Sequence, residues 1–383
     1  MARVLVTDGE ERAALAVVRS LGRAGHEVVV CSPRRRPLAG ASRFARDAVR
    51  VPDPLAAPAD YAGAVLRLAG AVAAEVLLPM SEASLLALLP RRERLDGVLL
   101  PFAAAAAFEA IRDKGRVLEV AGELGIGVPA QRVAASAAGA PDAAELRFPV
   151  VLKPARSVIE SGAARAKTAV VHATDAAAYR AALRALPAGA FPLLVQERIV
   201  GPGAGMFLLV WEDEPLAAFA HRRLREKPPS GGVSVYRESA ALDPGLRDLS
   251  LALLRRFHWR GPAMVEYKLD ERTGTPYLME INGRFWGSLQ LAVDAGIDFP
   301  ALLVAAALGG APAPVTDYRV GVRTRWWWGD VDHLIARFRA RDRRADAVRA
   351  FLAASFDGAR NEVLRWDDPR PALRETADWL QGR

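Results

Sequence analysis

The sequence predicts an α/β protein: a small doubly wound domain, then a larger α+β portion and a short C-terminal region. Three observations carry this reading. Strand-like and helix-like segments alternate up to about residue 105, the pattern of a parallel sheet covered by helices. Two apolar strands then appear among helices, in FPVVLKP (148–154) and FPLLVQERI (191–199). Finally, GPAMVEYKLD-ERTGT-PYLMEINGR (Gly261 to Arg284) reads as strand, five-residue loop and strand, a hairpin with glycine in its loop.

The elements follow in order. Arg3–Thr7 is a strand, Glu11–Ala24 a helix stopped by Gly25, and Glu27–Cys31 a second strand, with Asp8-Gly9 as the turn. Glu75–Leu78 is another strand, and its loop Pro79-Met80-Ser81-Glu82 enters a helix with Ser81 as N-cap. The first turn lacks GxGxxG, so a dinucleotide site is not expected; a Rossmann oxidoreductase is the fold-level rival for this domain, which NAD titration tests. Phe108–Leu124 reads as one helix stopped by GIGVPA, and an alanine-rich linker spans Ala134–Ala144. A helix at 175–186 separates the two apolar strands. Residues 206–220 form a hairpin turning at Glu212–Pro215, 221–238 are basic and glycine-rich, and 246–258 form a helix. A helix beyond Pro300 ends at Gly309-Gly310.

Composition narrows the function. A chain of 383 residues, 51% hydrophobic and 25% charged, has room for two or three globular domains. Of the 52 basic residues behind the net charge of +8, only Lys114, Lys153, Lys167, Lys227 and Lys268 are lysine. Apart from Arg34-Arg35-Arg36 and the run at 337–344, the arginines sit beside acids. No basic patch is interleaved with aromatics, so nucleic acid is not an expected partner; a small anionic substrate fits the charge. The single Cys31 excludes a disulfide framework and a cysteine metal site, and the five histidines lack metal-ligand spacing. MARVLVTDG is too short for a signal peptide and AAAAAFEAI (103–111) too short for a membrane span. The expectation is a cytoplasmic protein that engages no membrane.

The hairpin is the most informative segment. If its loop centres on Thr273, Glu266 lies opposite Glu280. Alternation then puts Met264, Glu266 and Lys268 on one face with Leu278, Glu280 and Asn282. Val265, Tyr267 and Leu269 share the other, apolar face with Met279 and Ile281. Opposed carboxylates roughly 5 Å apart repel by about 3 kcal/mol at an effective dielectric of 20. Either the polar face is solvated and Lys268 neutralises a neighbour, or a cation sits between the glutamates. Asn282 and Arg284 continue the face at period two, and two carboxylates with an amide oxygen form a hard donor set suited to Mg²⁺ beside phosphates.

Taken in order, Lys114 after Asp113, Lys153 at a strand end, Gln196-Glu197-Arg198-Ile199 at another, and Glu266/Glu280/Asn282/Arg284 resemble the ATP-grasp superfamily over about residues 1–305. The E-x-N-x-R element after an upstream glutamate is the most specific signal, and the pattern is most similar to the carboxylate–amine ligase branch with its carbamoyl-phosphate-synthase-like proteins. The resemblance implies a pre-ATP-grasp Rossmann-like domain (1–107), a small lid subdomain (108–195), a large subdomain with the metal site (196–310) and a C-terminal Trp/Arg-rich region (311–383). It implies ATP as cofactor, with Lys114, Lys153 and Ser157 toward the phosphates and Gln196, Glu197, Arg198 and Ile199 at the adenine and ribose. Glu266, Glu280 and Asn282 would hold Mg²⁺, with Mn²⁺ able to replace it, and Arg284 would face the transferred phosphoryl group or the substrate carboxylate.

The sequence departs from many such proteins in one place. The segment after Lys153, Ala155–Gly162, has a single glycine where a glycine-rich loop often covers the phosphates. The basic stretch His221–Gly232 reads as a mobile loop able to close over an anionic acyl phosphate, with Arg223, Arg225 and Lys227 as catalytic candidates. Three tryptophans in RTRWWWGD (323–330) cannot all face one side of a regular element; one is expected between tail and catalytic core, or as an aromatic substrate wall.

The resulting expectation is an ATP-dependent ligase that activates a carboxylate as an acyl phosphate and joins it to an amine, releasing ADP and phosphate. Its partners are a small-molecule acid and amine, and a homodimer is compatible with the chain. The alternatives are a carboxylating enzyme using bicarbonate and a non-catalytic nucleotide-binding regulatory module.

Overall fold

The computed structural model describes residues 1–229, 231–340 and 342–382. The chain begins β1 (Arg3–Val6), α1 (Arg12–Arg23), β2 (Glu27–Ser32), β3 (Ala45–Arg50), α2 (Pro58–Ala71), β4 (Val76–Leu78) and α3 (Glu82–Leu88). The strands pair in parallel in the order β3-β2-β1-β4. β1, β2 and β4 are apolar and buried, as strands covered on both faces require. β3, with its sequence ARDAVR, is a half-exposed edge that alternation alone does not reveal. At the carboxyl ends of β1 and β4, Asp8 takes a left-handed φ of 53°. Its buried carboxylate accepts from the Met80 and Ser81 amides at 3.1 Å and from the Ser81 and Ser84 hydroxyls at 2.8 and 2.7 Å. Ser81 caps α3 as predicted, its hydroxyl accepting from the Ser84 amide.

The segment read as one helix over 108–124 is two, α4 (Ala105–Ile111) and α5 (Lys114–Glu123). Asp113 breaks it: its backbone is extended and its side chain accepts from the Arg116 amide at 3.2 Å, so it caps a new helix. Lys114 therefore opens α5, which packs on the hairpin described below.

Residues 131–197 contribute β5 (Gln131–Ala134), β6 (Val150–Pro154), β7 (Val158–Ser161), β8 (Ala164–Lys167), β9 (Val171–Ala173), α6 (Ala176–Ala185) and β10 (Leu193–Glu197). An antiparallel sheet of order β5-β10-β6-β9 carries its own small core around Leu152, Tyr179 and Val195. The glycine-poor segment after Lys153 forms the two-stranded hairpin β7–β8, which leans on the first domain through the Arg165 amide and the Leu55 carbonyl (2.7 Å).

The remaining elements are β11 (Gly203–Trp211), β12 (Glu214–Lys227), β13 (Val233–Ala240), α7 (Pro244–Arg256), β14 (Gly261–Leu269), β15 (Pro276–Asn282), α8 (Leu289–Ala295), α9 (Phe299–Ala307), β16 (Arg323–Arg325), α10 (Trp327–Arg339), α11 (Arg344–Ala353), β17 (Arg360–Asn361) and α12 (Arg370–Leu380). The seven strands form one sheet of order β15-β14-β11-β12-β13-β16-β17. The β11–β12 turn is Glu212-Asp213, with φ of 52° and 66°, the doubly left-handed turn that suits a two-residue hairpin. β12 continues to Lys227, so the stretch from His221 is strand where a mobile loop was expected; Ser230 lies outside the described residues.

The C-terminal region is more than a tail. Strands β16 and β17 extend the large sheet, and the segment after them returns to α1. There Arg19, fully buried, donates from Nε to Asp368 at 2.9 Å and from a terminal nitrogen to the Val363 carbonyl at 2.8 Å. Glu362 is held between Arg12 and Arg237. A single core joins the parallel sheet, the helices and the large sheet. Where β15 leaves the sheet, a Cβ on Gly283 would lie 2.3 Å from Ile111 and 2.4 Å from Trp259, so that close approach needs glycine. Among the described residues no single helix is long and apolar enough to cross a membrane.

Candidate functional site

The β14–β15 hairpin pairs Glu266 directly with Glu280, and Met264 with Asn282. Beyond that pair the register slips, so that Tyr267 meets Leu278. This bulge corrects the predicted faces: Leu278 is buried in the core, while Met279 turns toward the cleft. Six residues, 270–275, form the loop.

Four cations gather around the two carboxylates. Lys114, only 6% exposed, reaches Ser157 Oγ at 2.7 Å and Glu280 at 3.5 Å. Lys153 emerges from β6 beside Met279, its Nζ 3.7 Å from the sulfur. Arg223 bridges Glu266 at 2.7 Å and Glu226 at 2.9 Å. Arg284 donates to Asn282 Oδ1 at 3.0 Å and to the Phe285 carbonyl at 2.9 Å, and Asn282 Nδ2 donates to Glu280 at 3.0 Å.

The two glutamates titrate apart. Burial pushes Glu266 above the ordinary carboxylate range; Arg223 opposes that rise and Glu280 adds to it. Burial would also raise Glu280, but Lys114 and Lys153, with Asn282 and Arg284, outweigh it and hold Glu280 below. Burial lowers Lys153, against the pull of Glu280 and Glu266. Such divergence between neighbouring carboxylates marks functional sites.

All of these residues but Lys114, which lies behind Glu280 with Ser157, line a cleft of about 580 Å³ between the small and large sheets. Gln196, Glu197, Arg198 and Ile199 edge it. The Gln196 side chain is buried and donates to Gln131 at 2.7 Å, and the strand ladder stops at Glu197, leaving Arg198 and Ile199 outside it. The donor set fits a divalent cation: Glu266 and Glu280 are hard oxygen ligands in a site whose burial penalises unpaired carboxylates. The Asn282 oxygen accepts from Arg284 at 3.0 Å, Glu266 pairs with Arg223 and Glu280 accepts from Asn282 Nδ2, so each of the three donors already has a partner that a cation would share or displace.

The basic strand divides its three catalytic candidates. Arg223 faces the cleft. Arg225, two residues on, should share that face, but β12 carries a bulge between Arg223 and Arg225 against β13. Arg225 is thereby turned away, forming a two-pronged pair with Asp330 at 2.7 and 2.6 Å and lying over Tyr236; its assignment to the site is corrected. Lys227 reaches neither glutamate; it pairs with Asp332 and sits 5.5 Å from the Trp326 ring.

Two cleft residues escaped the sequence reading. His221 is 2% exposed, and neither ring nitrogen finds a partner among the described residues. Burial, reinforced by Arg223 and Arg237, lowers it far below its ordinary value, so it faces the cleft neutral. Trp286 lies 4.3 Å from the Phe207 ring centre with its buried indole N–H also unpartnered. Period two from Arg223 could have flagged His221; nothing in the pattern flags Trp286.

A second cavity, of about 650 Å³, meets the cleft at Glu280, Asn282 and Arg284. The first domain, the β7–β8 hairpin and the C-terminal helices complete its walls, which include Ser157, Trp326, Trp328, Glu375 and Trp379. Trp326 precedes α10 and Trp328 lies within its first turn, so two of the three consecutive tryptophans turn inward. Trp327 packs on Phe351 instead, at 5.5 Å between ring centres.

Residues 191–328 match a family model described as ATP-grasp in the biosynthetic pathway with Ter operon. No curated protein matches the sequence. Among solved structures, L-amino acid ligase from Bacillus licheniformis is similar with a TM-score of 0.62 and 18% identity, over 80% of this chain and 74% of that one. A biotin carboxylase–β,γ-ATP complex from Campylobacter jejuni gives 0.64 and 16%, over 84% and 74%. N5-carboxyaminoimidazole synthetase from Staphylococcus aureus gives 0.62 and 14%, over 84% and 80%. At these identities the likeness is one of fold. The parallel N-terminal sheet and the two antiparallel sheets around one cleft give this chain the fold of these ATP-grasp-type structures, and its residues 191–328 match the ATP-grasp family model.

Proposed function

We propose that this protein is an ATP-dependent ligase that activates a carboxylate as an acyl phosphate and joins it to an amine. The observation that carries the proposal is the shared wall: the polar stripe Glu280, Asn282 and Arg284 belongs both to the cleft and to the second cavity. A nucleotide in the first would present its γ-phosphate to a substrate in the second. The solved L-amino acid ligase of similar fold agrees with this reading.

The carboxylate oxygen attacks the γ-phosphorus and the bond to ADP breaks. The amine nitrogen then attacks the acyl carbon, phosphate leaves and the nitrogen loses a proton, forming the amide. Lys114, Lys153 and Ser157 would balance the phosphates, and Gln196, Glu197, Arg198 and Ile199 would frame the base and ribose. Glu266 and Glu280 would hold Mg²⁺, which supplies charge neutralisation during phosphoryl transfer; Arg223 fixes Glu266 in place. Arg284 would stabilise charge on the transferred group or the substrate carboxylate. Arg225 takes no part, and Lys227 lies on the substrate side.

ADP release with panels of acids and amines tests the proposal, and Glu280→Gln should abolish it; wild-type turnover in that variant would rule out the metal-site assignment. The carboxylating reading has the two carboxylase- and synthetase-type neighbours behind it. ADP release driven by bicarbonate without any organic acid would favour it.

A further inference from the structure

We infer that the second cavity is an amine-donor pocket, in which the C-terminal helix α12 seats a cationic ammonium against Glu375 and Trp326 while stacked Trp328 and Trp379 cover the apolar part of the same substrate. The inference rests on the ligase reading for the reaction, but not for the binding.

Three features lead to it. The cavity opens directly onto the Glu280–Asn282–Arg284 stripe, so whatever fills it lies against the γ-phosphate end of the cleft. Its aromatic wall is built and held rather than incidental. Trp328 and Trp379 stack with ring centres 4.0 Å apart and planes 23° from parallel. Their indole nitrogens are tied to Thr376 and Asp332, each at 3.0 Å. Trp326 donates to Glu375 at 2.7 Å. Indole rings around a void suit a ligand that is flat or aliphatic and carries positive charge.

The charge balance beside Trp326 selects the sign. The two cations there already have anionic partners: Arg12 pairs with Glu362 and lies 3.9 Å over Trp326, and Lys227 pairs with Asp332; Arg284, on the shared stripe, and Lys167, on the β7–β8 hairpin, also line the cavity. Glu375, by contrast, has the Trp326 indole and no cation at salt-bridge distance among the described residues. Glu10, which also lines the cavity, has only the Ser32 hydroxyl as side-chain partner among the described residues, at 2.6 Å. Both carboxyls are held above their ordinary range, burial being the main cause. An ammonium would supply the missing countercharge, and the indoles would favour it further; a second carboxylate there would meet like charge.

Binding to the full chain without ATP tests this, using 2-phenylethylammonium and its neutral isostere 2-phenylethanol followed by ligand-observed saturation-transfer NMR. The ammonium should bind about tenfold tighter than the alcohol, and Glu375→Gln should erase that preference. Trp379→Leu should weaken both probes alike, which keeps the test open if the first variant fails to fold. Equal binding of the two probes, or a preference that survives Glu375→Gln, would overturn the pocket. An intact preference in a protein that never releases ADP upholds the pocket and defeats the ligase reading instead.

Discussion

The two chambers that meet at Glu280, Asn282 and Arg284 are built in opposite ways. The cleft between the small and large sheets is a charge device laid out along strands: its glutamates face each other across one hairpin, and lysines and arginines reach them from neighbouring strands and α5. Position two residues apart sets most of that geometry. The second cavity is assembled from segments far apart in sequence: the loop after β1, the β7–β8 hairpin, the start of α10 and the length of α12. Its character comes from indole rings and from Glu10 and Glu375, which have no cation at salt-bridge distance among the described residues. A reactive centre needs fixed charges at fixed spacing, which a sheet supplies, whereas a pocket for a variable group needs shape, which several elements supply together.

That contrast can be broken by experiment. The largest effect should come from Glu280→Gln, with ADP release falling by at least about 10²-fold; retained turnover would mean the hairpin is not the reactive centre. Next is Asp368→Ala, which strands fully buried Arg19 and should cost about 3–5 kcal/mol of unfolding free energy in urea titration. The second cavity should loosen with it: a raised KM for amine at unchanged KM for ATP would separate the chambers. Trp379→Leu should raise the amine KM about tenfold and leave that for ATP within error; a parallel rise in both would erase the distinction. Arg223→Gln should weaken ATP turnover while Arg225→Gln leaves the KM for ATP unchanged, though both are arginines of one strand. Equal kinetic effects would refute the bulge that turns them apart.

The smallest effect is one of pH. Burial, resisted by the Trp326 indole and Arg12 and aided by Glu362, raises Glu375 to about 7 from its ordinary 4.5. Between those values the folded protein keeps a proton that the unfolded chain has released, so stability falls as pH rises and stays lower above 7. Glu375→Gln should remove that slope. Its melting temperature should match wild type below pH 4.5 and exceed it above 7, read by circular dichroism at several pH values.

Much of the cleft could be read in advance because strand alternation and one symmetric turn placed Glu266 opposite Glu280. The errors share one cause. Bulges beside Glu266 and after Arg223 shift side chains to the other face, and a bulge depends on how two strands pair, not on either strand's own pattern. The split of 108–124 into α4 and α5 was visible in principle, since Asp113 is a good cap, but the apolar periodicity ran through it. The aromatic wall was only half legible: three adjacent tryptophans announced a special site, while Trp379 and Glu375 join it only because Arg19 and Arg12 anchor the returning chain.

That anchoring has a consequence for how such a protein can diversify. Every residue that lines the first cleft precedes 289, whereas the three tryptophans and Glu375 of its neighbour come from beyond 325. On the proposed reading, the power source and the selector of what it is spent on are therefore inherited as separate stretches of sequence. Substitutions confined to α10 and α12 would then retune the choice of donor while the phosphoryl chemistry stays as it was, provided Asp368 and Glu362 still hold the segment to α1.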